Sequence, residues 1–400
     1  MNSKEQENVL EKVLEDKNVF FTGIAGTGKT YLIDIIYKSL ISSNKSVYKT
    51  STTGVSAFRI KGTTIDNFAG TGTGKLDIEE YKKKPKRSIR DADVLIIDEI
   101  SMMSKQKMDM LNELFQHARK SKELFGGIQV VFCGDFYQLK PVEGDYCFLS
   151  EAFKKLDCYI ELNTVYRQKD IEWIKILSEI RDGKLSNDSI KEIEKRKKVP
   201  DCEDYITIYS TNKEVEQVNV REIKKLSGDL YTYKAKEIIK GSLKYDYRVD
   251  KKISMKKDAK VMLTDNLNVD DGLVNGAIGT VKDFTKEGLP IVSFSKVTKA
   301  ISRTFHEIEE NGKTIAKIHQ LPLKLAYAIT IHKSQGSQFG KIRGNPSKIF
   351  DSPQAYVFFS RCTDLSGIYL DDFNANRIKP PSNEVLEYKQ RFDKVKLTIK

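Results

Sequence analysis

The 400-residue sequence lacks several features that would assign a protein to a class at once. It has no run of 18 apolar residues, so no segment is predicted to cross a membrane. Its five cysteines (Cys133, Cys147, Cys158, Cys202 and Cys362) show no C-x-x-C spacing, which excludes a zinc ribbon and provides no disulfide framework. The N-terminal segment is acidic and has no apolar stretch of the kind found in signal peptides. These absences predict an intracellular protein with reduced thiols, cytoplasmic if its source is bacterial or viral.

The charge of the sequence is strongly basic. It has 68 Lys and Arg residues against 56 Asp and Glu, a net charge of +12. Phosphate groups attract such a surface at long range, so nucleic acid or an acidic membrane surface is the predicted partner. A lysine-rich surface that only keeps the protein soluble is the alternative. The length indicates two or three domains.

The order of apolar runs predicts an α/β protein built on parallel sheets. Buried strands are predicted at 18–23, 45–51, 93–99 and 128–135, with helices at 3–16, to about residue 42 and between the last two strands. Alternating buried strands and helices are typical of a parallel sheet covered on both faces. We assign residues 1–163 to a first domain.

A second α/β unit is predicted in residues 164–400. It contains a helix near 171–182, a strand at 205–210, a helix at 327–336 and a strand at 354–361. Short β-like runs separated by Gly, Asn and Asp fill residues 230–322. They predict a small antiparallel sheet or barrel inserted into this domain.

The segment "GIAGTGKT" at residues 23–30 matches the phosphate-binding pattern G-x-x-x-x-G-K-[ST] and stands between a predicted strand and a predicted helix. Gly23, Gly26 and Gly28 allow backbone N–H groups to curl around phosphate oxygens at a helix N-terminus. Lys29 is then placed to reach the β- and γ-phosphates, and the Thr30 hydroxyl to ligate Mg²⁺. Because the pattern stands between a strand and a helix, it predicts a nucleotide-binding site.

Polar side chains follow two further predicted strands. "VLIIDEIS" ends in Asp98 and Glu99, which predicts one acid that holds Mg²⁺ and one that activates the attacking water. "FCGDFYQLKPV" places Asp135 and Gln138 after another strand, where they would face the ligand crevice of an open α/β sheet. Gln138 could then orient water or contact the γ-phosphate, although polar strand ends also occur for solvation alone.

The motifs, taken together, resemble those of the petite-integration-frequency (PIF) DNA helicases, in the RecD/Dda-like branch of superfamily-one helicases. The resemblance runs from Gln6 to about Leu370, in family order: "GIAGTGKT", "TTGVSAFRIKGTTIDNFAGTG", "LIIDEISMMS", "FGGIQVVFCGDFYQLKPV", "VYRQKD", "AKVMLTDNLNVDDGLVNGAIGTV", "LAYAITIHKSQG" and "QAYVFFSRCTDLSGIYL". It implies two RecA-like domains, with a wedge insertion at about 68–90 in the first and a β-barrel insertion at about 230–322 in the second.

The resemblance also implies residue roles at the nucleotide. Gln6 matches the adenine-reading glutamine, and Arg167 and Arg361 match two arginines that reach the γ-phosphate. The catalytic set implied is Lys29, Asp98, Glu99, Gln138, Arg167 and Arg361. The set implied to bind nucleotide is Gln6, Gly23, Ala25, Gly26, Thr27, Gly28, Lys29, Thr30 and Gly336.

Two segments are implied to bind the nucleic-acid strand. In "TTGVSA", Thr53 and the backbone of Gly54 would contact phosphate. In "TIHKSQG" the donors would be Thr330, His332, Lys333, Ser334 and Gln335.

Three features near these segments are less specific. Phe68 is either a base-stacking residue or a core residue. The family usually has histidine where this chain has Asp66, and a carboxylate would repel phosphate, so we do not expect Asp66 to contact the strand. "KKKPKR" at 82–87 is predicted to be an exposed loop, either a duplex contact or a solvated surface.

The implied activity is ATP-dependent translocation 5′-to-3′ along single-stranded DNA with unwinding of duplex. ATP and Mg²⁺ are the expected cofactors, single-stranded and forked or tailed duplex DNA the partners, and a monomer the acting form. Two alternatives remain: a RecD/Dda-like helicase with other duties, and an ATP-gated single-strand clamp without productive unwinding.

Overall fold

The computed structural model describes residues 3–71, 78–166, 170–198, 205–239, 250–268, 270–310, 313–349 and 352–398. Arg167 and Cys202 therefore lie outside the described residues. The chain divides into two compact units. The first unit combines Met1–Ser210 with Thr330–Lys400, and the second is Thr211–Ile329. The predicted division at residue 163 stays a prediction.

A six-stranded sheet organises the N-terminal part of the first unit. Its strands are β1 (Val19–Gly23), β2 (Val47–Ser51), β3 (Thr63–Thr64), β4 (Val94–Asp98), β5 (Gln129–Cys133) and β6 (Cys158–Leu162). Their order is β3-β2-β4-β5-β1-β6, and every pair is parallel. Every residue of β4 and β5 is buried, as expected of central strands in a parallel sheet. The predicted parallel sheet is confirmed.

Among the described residues of this part, eight α-helices accompany the sheet. They are α1 (Lys4–Leu14), α2 (Lys29–Ser42), α3 (Gly54–Arg59), α4 (Ile65–Ala69), α5 (Ile78–Lys83), α6 (Arg87–Asp91), α7 (Lys105–Arg119) and α8 (Glu151–Lys154). Hydroxyl caps fix where several of them begin: Ser3, Thr53 and Ser104 each accept a bond from the backbone N–H three residues later. The start of α3 at Gly54 is thus set by the Thr53 side chain.

The predicted loop at 82–87 is only partly a loop. Lys82 and Lys83 end α5, and Arg87 begins α6. The Lys82 ammonium pairs with Glu79 and Glu113, which raises its pKa through hydrogen bonds to those carboxylates. Only the stretch between the two helices is irregular, because the i,i+3 and cross-helix ion pairs hold Lys82 on α5.

The chain continues through α9 (Ile171–Asp182), α10 (Asn187–Glu194) and β7 (Ile206–Tyr209). It then enters the second unit, which holds α11 (Asn212–Lys225) and only antiparallel strand pairs among its described residues. The strands are β8 (Tyr231–Lys234), β9 (Lys236–Ile239), β10 (Lys252–Met255), β11 (Lys260–Leu263), β12 (Ile278–Phe284), β13 (Pro290–Ser293), β14 (Thr298–Ala300), β15 (Thr304–Glu310), β16 (Lys313–Gln320) and β17 (Leu323–Leu325).

The sheets of the second unit are β10-β8, β14-β13-β12-β11-β17 and β15-β16-β9. The first two of these sheets contribute to a core that includes Met255, Val261, Val281 and Val292, each fully buried. The predicted antiparallel sheet is confirmed, and its closure into a barrel stays a prediction.

The last part of the chain returns to the first unit. It contains β18 (Ala328–Thr330), α12 (Ile331–Ser334), β19 (Ile342–Gly344), α13 (Ser352–Ser360), β20 (Ile368–Leu370) and α14 (Asn383–Thr398). The second sheet has the order β18-β7-β19-β20, and β19 is parallel to both of its neighbours. Within the described ranges, no helix is long and apolar enough to span a membrane.

Two predictions of secondary structure in this part are wrong. The stretch 354–361 was predicted as a strand, but its residues 354–360 belong to helix α13 and Arg361 follows the helix. Its apolar residues are all buried, so they show no period that separates a strand from a helix. The predicted helix at 327–336 is a strand followed by one helical turn. Thr330 ends β18 and caps α12, so the change of structure falls within the motif itself.

Candidate nucleotide site and strand contacts

The phosphate-binding loop connects β1 to α2. Gly28 has φ +81°, a left-handed conformation in which glycine is favoured, and it directly precedes the first residue of α2. A Cβ atom at Gly28 would lie 2.9 Å from the Gln6 side-chain nitrogen. Gln6 is fully buried, and its amide donates to the Thr27 carbonyl at 3.2 Å. Gln6 therefore supports the loop backbone from behind.

An open pocket with about 500 Å³ of empty space lies beside this loop. It brings together most of the predicted catalytic and nucleotide-binding residues from both ends of the chain. The lining residues are Ala25, Gly26, Gly28, Lys29, Thr30, Arg59, Asp98, Glu99, Gln138, Gln338, Ser360 and Arg361.

The two acids at the end of β4 differ in environment. Asp98 is buried, and its Oδ1 accepts the Glu99 N–H at 2.9 Å. Burial, and next the charge of Glu99, raises the pKa of Asp98 to about 6. Glu99 is half-buried and has φ +54°, a left-handed conformation that costs free energy in a residue with a side chain. The Thr52 hydroxyl holds this turn by donating to the Glu99 carbonyl at 2.9 Å.

The donor set fits a magnesium ion shared with phosphates. Thr30 and Asp98 both line the pocket. In the part of the chain that the structure describes, no group of three His, Cys, Asp or Glu side chains could hold a metal by itself. Mg²⁺ in proteins is commonly held by one or two side chains, with phosphate oxygens and water completing its coordination. Thr30 and Asp98 supply two such oxygens next to the phosphate loop.

Lys29, Gln138 and Arg361 belong to the predicted catalytic set and also line this pocket. The Lys29 ammonium donates to the carbonyls of Gly23 and Ile24, the latter at 3.1 Å, and so lies against the loop. Gln138 is 4% exposed, and its Oε1 has no hydrogen-bond partner among the described residues. A buried carbonyl oxygen of this kind is suited to accept a hydrogen bond from water or another donor in the pocket.

Arg361 follows α13 and is 5% exposed. Its guanidinium donates to the carbonyls of Val357 at 3.0 Å and Ser337 at 3.1 Å, and to the Ser360 hydroxyl at 2.9 Å. These bonds fix the orientation of the positive charge that it adds to the pocket.

Four predicted nucleotide residues do not line the pocket. Gln6 and Thr27 are buried against the loop, and the Thr27 hydroxyl donates to the Ile24 carbonyl at 3.0 Å. Gly23 lies against β6, where an added Cβ would be 2.7 Å from the Leu162 carbonyl oxygen. Gly336 is buried beside Ser56. In this structure these residues contribute to the packing of the loop and of the neighbouring turn, and their proposed contacts with nucleotide stay a prediction.

Four residues at the site were missed by sequence reasoning. Arg59, Gln338 and Ser360 line the pocket, and the Tyr356 hydroxyl accepts the Ala25 N–H at 2.9 Å. Ser360 directly precedes Arg361, and Gln338 is two residues after Gly336. Their positions next to recognised motif residues could have identified them. Nothing in the sequence distinguished Arg59 or Tyr356.

Asp135 lies outside the pocket. It is fully buried, and its Oδ1 accepts a bond from the Arg181 guanidinium at 3.2 Å. Arg181 also stacks over the Tyr137 ring, with 3.8 Å from the guanidinium carbon to the ring centroid. Asp135 therefore anchors α9 to the segment that carries Gln138.

Three of the predicted strand contacts have side chains that are buried or hydrogen-bonded within the protein. Phe68 is 2% exposed and packs edge-on against Phe115, so it is a core residue and cannot stack on a base in this conformation. The Thr330 oxygen caps α12, and the buried Ser334 hydroxyl donates to the Ile331 carbonyl at 2.7 Å. Both hydroxyl groups thus serve the turn.

Of the remaining strand candidates, Gln335 is buried, and the other four are at least partly accessible. His332 and Lys333 are exposed, and Thr53 and Gly54 are half-buried at the start of α3. Asp66 accepts from the Thr71 hydroxyl at 2.8 Å and pairs with the Lys107 ammonium. This pairing gives the carboxylate a structural role, and its absence from the strand contacts stays a prediction.

Comparisons with known proteins agree on one family. The model of the PIF1-like helicase family matches residues 1–191, and that of the DNA helicase Pif1 2B domain matches residues 239–284. The ATP-dependent DNA helicase PIF1 of Danio rerio is 38% identical over 419 residues, covering 99% of this chain and 65% of that protein. The chain thus spans about two thirds of the length of this relative.

Solved structures give the same result. The crystal structure of Pif1 helicase from Candida albicans has a TM-score of 0.87 and 32% identity, covering 98% of this chain and 99% of that one. The Pif1 helicase from Bacteroides in complex with ADP-AlF3 and ssDNA has a TM-score of 0.84 and 26% identity, with 98% of each chain covered. These likenesses also establish the fold as two RecA-like domains. The chain belongs to the PIF1-like helicase family.

Proposed function

We propose that this protein is an ATP-dependent DNA helicase that translocates 5′-to-3′ on single-stranded DNA and unwinds duplex. The observation that carries the proposal is the pocket that gathers Lys29, Asp98, Glu99, Gln138 and Arg361 from four separate motifs. The names of the relatives support it: PIF1 of Danio rerio is an ATP-dependent DNA helicase, and the Bacteroides structure contains ADP-AlF3 and ssDNA.

The phosphates are held by the loop and by two cations. The backbone N–H groups of the loop and the Lys29 ammonium bind the β- and γ-phosphates once Lys29 leaves the loop carbonyls. Arg361 places its oriented guanidinium at the γ-phosphate, where negative charge develops during transfer. Thr30 and Asp98 hold Mg²⁺, which neutralises phosphate charge when bound.

Glu99 and Gln138 act on the attacking water. The Glu99 carboxylate accepts a proton from it, and the unpartnered Gln138 oxygen accepts its second hydrogen bond and so fixes its direction. Arg167 is proposed as the second arginine at the γ-phosphate on the resemblance alone.

The single DNA strand is proposed to run past Thr53 and Gly54 at the start of α3 and past His332 and Lys333 on α12. An exposed lysine, an exposed imidazole and a helix start are suited to backbone phosphates, which fits binding without sequence preference. Forked and tailed duplexes are the proposed unwinding substrates, and a monomer the acting form.

Glu99→Gln tests the assignment of the base. Removing a general base typically lowers turnover by about 10²–10⁴-fold. Phosphate binding should be retained, because the loop and Lys29 are unchanged. Steady-state ATPase with single-stranded DNA should fall accordingly, while the affinity for a fluorescent ATP analogue stays close to that of the wild type. ATPase within threefold of the wild type would refute the role of Glu99.

Unwinding of 5′- and 3′-tailed duplexes by the wild type tests the activity itself. Opening of 5′-tailed duplex alone is expected for 5′-to-3′ movement. Tight strand binding without ATP turnover would instead indicate a clamp, and opening of 3′-tailed duplex alone would contradict the direction.

A further inference from the structure

Helix α3 begins at the proposed strand contact and ends at the nucleotide pocket. Thr53 and Gly54 stand at its start, and Arg59 is its last residue. The Arg59 side chain is exposed and lines the pocket together with Asp98 and Glu99. A six-residue helix therefore spans the distance between the two sites.

The same helix contacts the segment "TIHKSQG" at its glycine. The Arg59 Nη1 group donates to the Gly336 carbonyl, which is the only hydrogen-bond partner of this guanidinium in the described part of the chain. Gly336 has φ +77°, and an added Cβ would lie 2.4 Å from the Ser56 hydroxyl oxygen. Arg59 and Ser56 thus hold the Gly336 turn closely against α3.

The neighbouring residue of that segment contacts the proposed base. Gln335 is 3% exposed, and its side-chain amide donates to the Glu99 carboxylate at 3.4 Å. Gln335 is therefore hydrogen-bonded to Glu99, and Gly336 to Arg59. Both Glu99 and Arg59 line the pocket. Any movement of α12 against the strand would change both attachments.

We propose that Arg59 is a positioning residue that couples the strand to ATP turnover. Its guanidinium lines the pocket and holds the Gly336 carbonyl, so the position of "TIHKSQG" on the DNA strand sets the position of Gln335 relative to Glu99. The proposal rests on the proposed function and assigns part of its coupling to one side chain. Lysine at this position would keep one donor for the carbonyl, whereas glutamine would remove the charge and shorten the reach.

The experiment compares ATPase turnover without DNA and at saturating oligo(dT) for the wild type, Arg59→Gln and Arg59→Lys. We expect Arg59→Gln to lower the ratio of the two kcat values by about tenfold, within the usual range for coupling between two sites. Arg59→Lys should keep a larger ratio than Arg59→Gln, because it still donates to Gly336. Arg221→Gln is the matched control, since Arg221 is exposed on α11 and pairs only with Glu222 in the described structure.

Each outcome decides the question. A fall in the ratio by more than about threefold for Arg59→Gln, with Arg221→Gln unchanged, supports coupling. A smaller fall, or an equal loss of both rates, overturns it, because a purely structural role lowers both rates together. Thermal melting shows whether Arg59→Gln has lost its fold. If it has, the ratio of the kcat values with and without oligo(dT) in Arg59→Lys decides the question. A wild type without any strand stimulation would overturn the proposed function itself.

Discussion

Replacing Arg181 by methionine removes the cationic half of a buried ion pair and retains much of the apolar stem. The Arg181 guanidinium lies 3.2 Å from Asp135 Oδ1, and the two side chains are 6% and 0% exposed. The second oxygen of Asp135 has no partner among the described residues, so the carboxylate depends on Arg181 and on the Tyr137 N–H. The substitution would leave this charge buried without a counter-ion.

The expected loss follows from that burial. Removing one partner of a buried ion pair typically costs about 3–5 kcal/mol, since the remaining charge stays desolvated. We expect Arg181→Met to lower the free energy of unfolding of the first unit by this amount. Arg87→Met is the control, because its pair with Asp91 is 90% and 46% exposed and such pairs contribute about 0–1 kcal/mol.

The chain provides its own probe for this measurement. Trp173 is the only tryptophan of the sequence, it is fully buried, and it lies in α9 together with Arg181. Urea unfolding followed by tryptophan fluorescence therefore reports on the element that the ion pair anchors. Adding Asp135→Asn to Arg181→Met should recover about 1 kcal/mol or more, because it removes the unpaired charge. Equal losses for Arg181→Met and Arg87→Met would refute the reasoning.

Two further predictions concern residues whose roles the sequence left open. Phe68→Ala should lower the free energy of unfolding by about 3–5 kcal/mol, as for other buried aromatic side chains, and leave the single-strand affinity of the folded protein unchanged; a weakened affinity in a variant of normal stability would restore the stacking role. Lys83→Ser with Lys84→Ser should reduce the salt slope of forked-DNA binding by about 0.9 per lost phosphate contact, measured by anisotropy against salt concentration. Both lysines are exposed, whereas Lys82 is paired with carboxylates and is left in place. An unchanged slope would make this stretch a solvated surface.

Local patterns in the sequence were sufficient for the first sheet and for most of the nucleotide pocket. Strands β1, β4 and β5 each contain three or four consecutive apolar residues, Val19–Phe21, Val94–Ile97 and Val130–Cys133, and a strand buried on both faces requires such a run. The residues that follow them must come to one edge of a parallel sheet. Lys29, Asp98 and Glu99 could therefore be placed together before their distances were known.

Short apolar segments were not determined by pattern. The stretch 354–360 has the composition of a buried strand but belongs to helix α13, and complete burial removes the polar positions that would show a period. From the sequence, Phe68 was equally compatible with base stacking and with burial in the core. Its neighbours Tyr48 and Phe115 decide for the core, and they come from other elements.

The family, the parallel sheet and the motifs could be recognised before the fold was known, since each depends on neighbours along the chain. Only the tertiary structure brought Arg59 to Gly336, Tyr356 to the Ala25 N–H and Arg181 to Asp135. These pairs are separated by 277, 331 and 46 residues. A contact of that kind depends on how the elements pack, and a single sequence carries no signal for it.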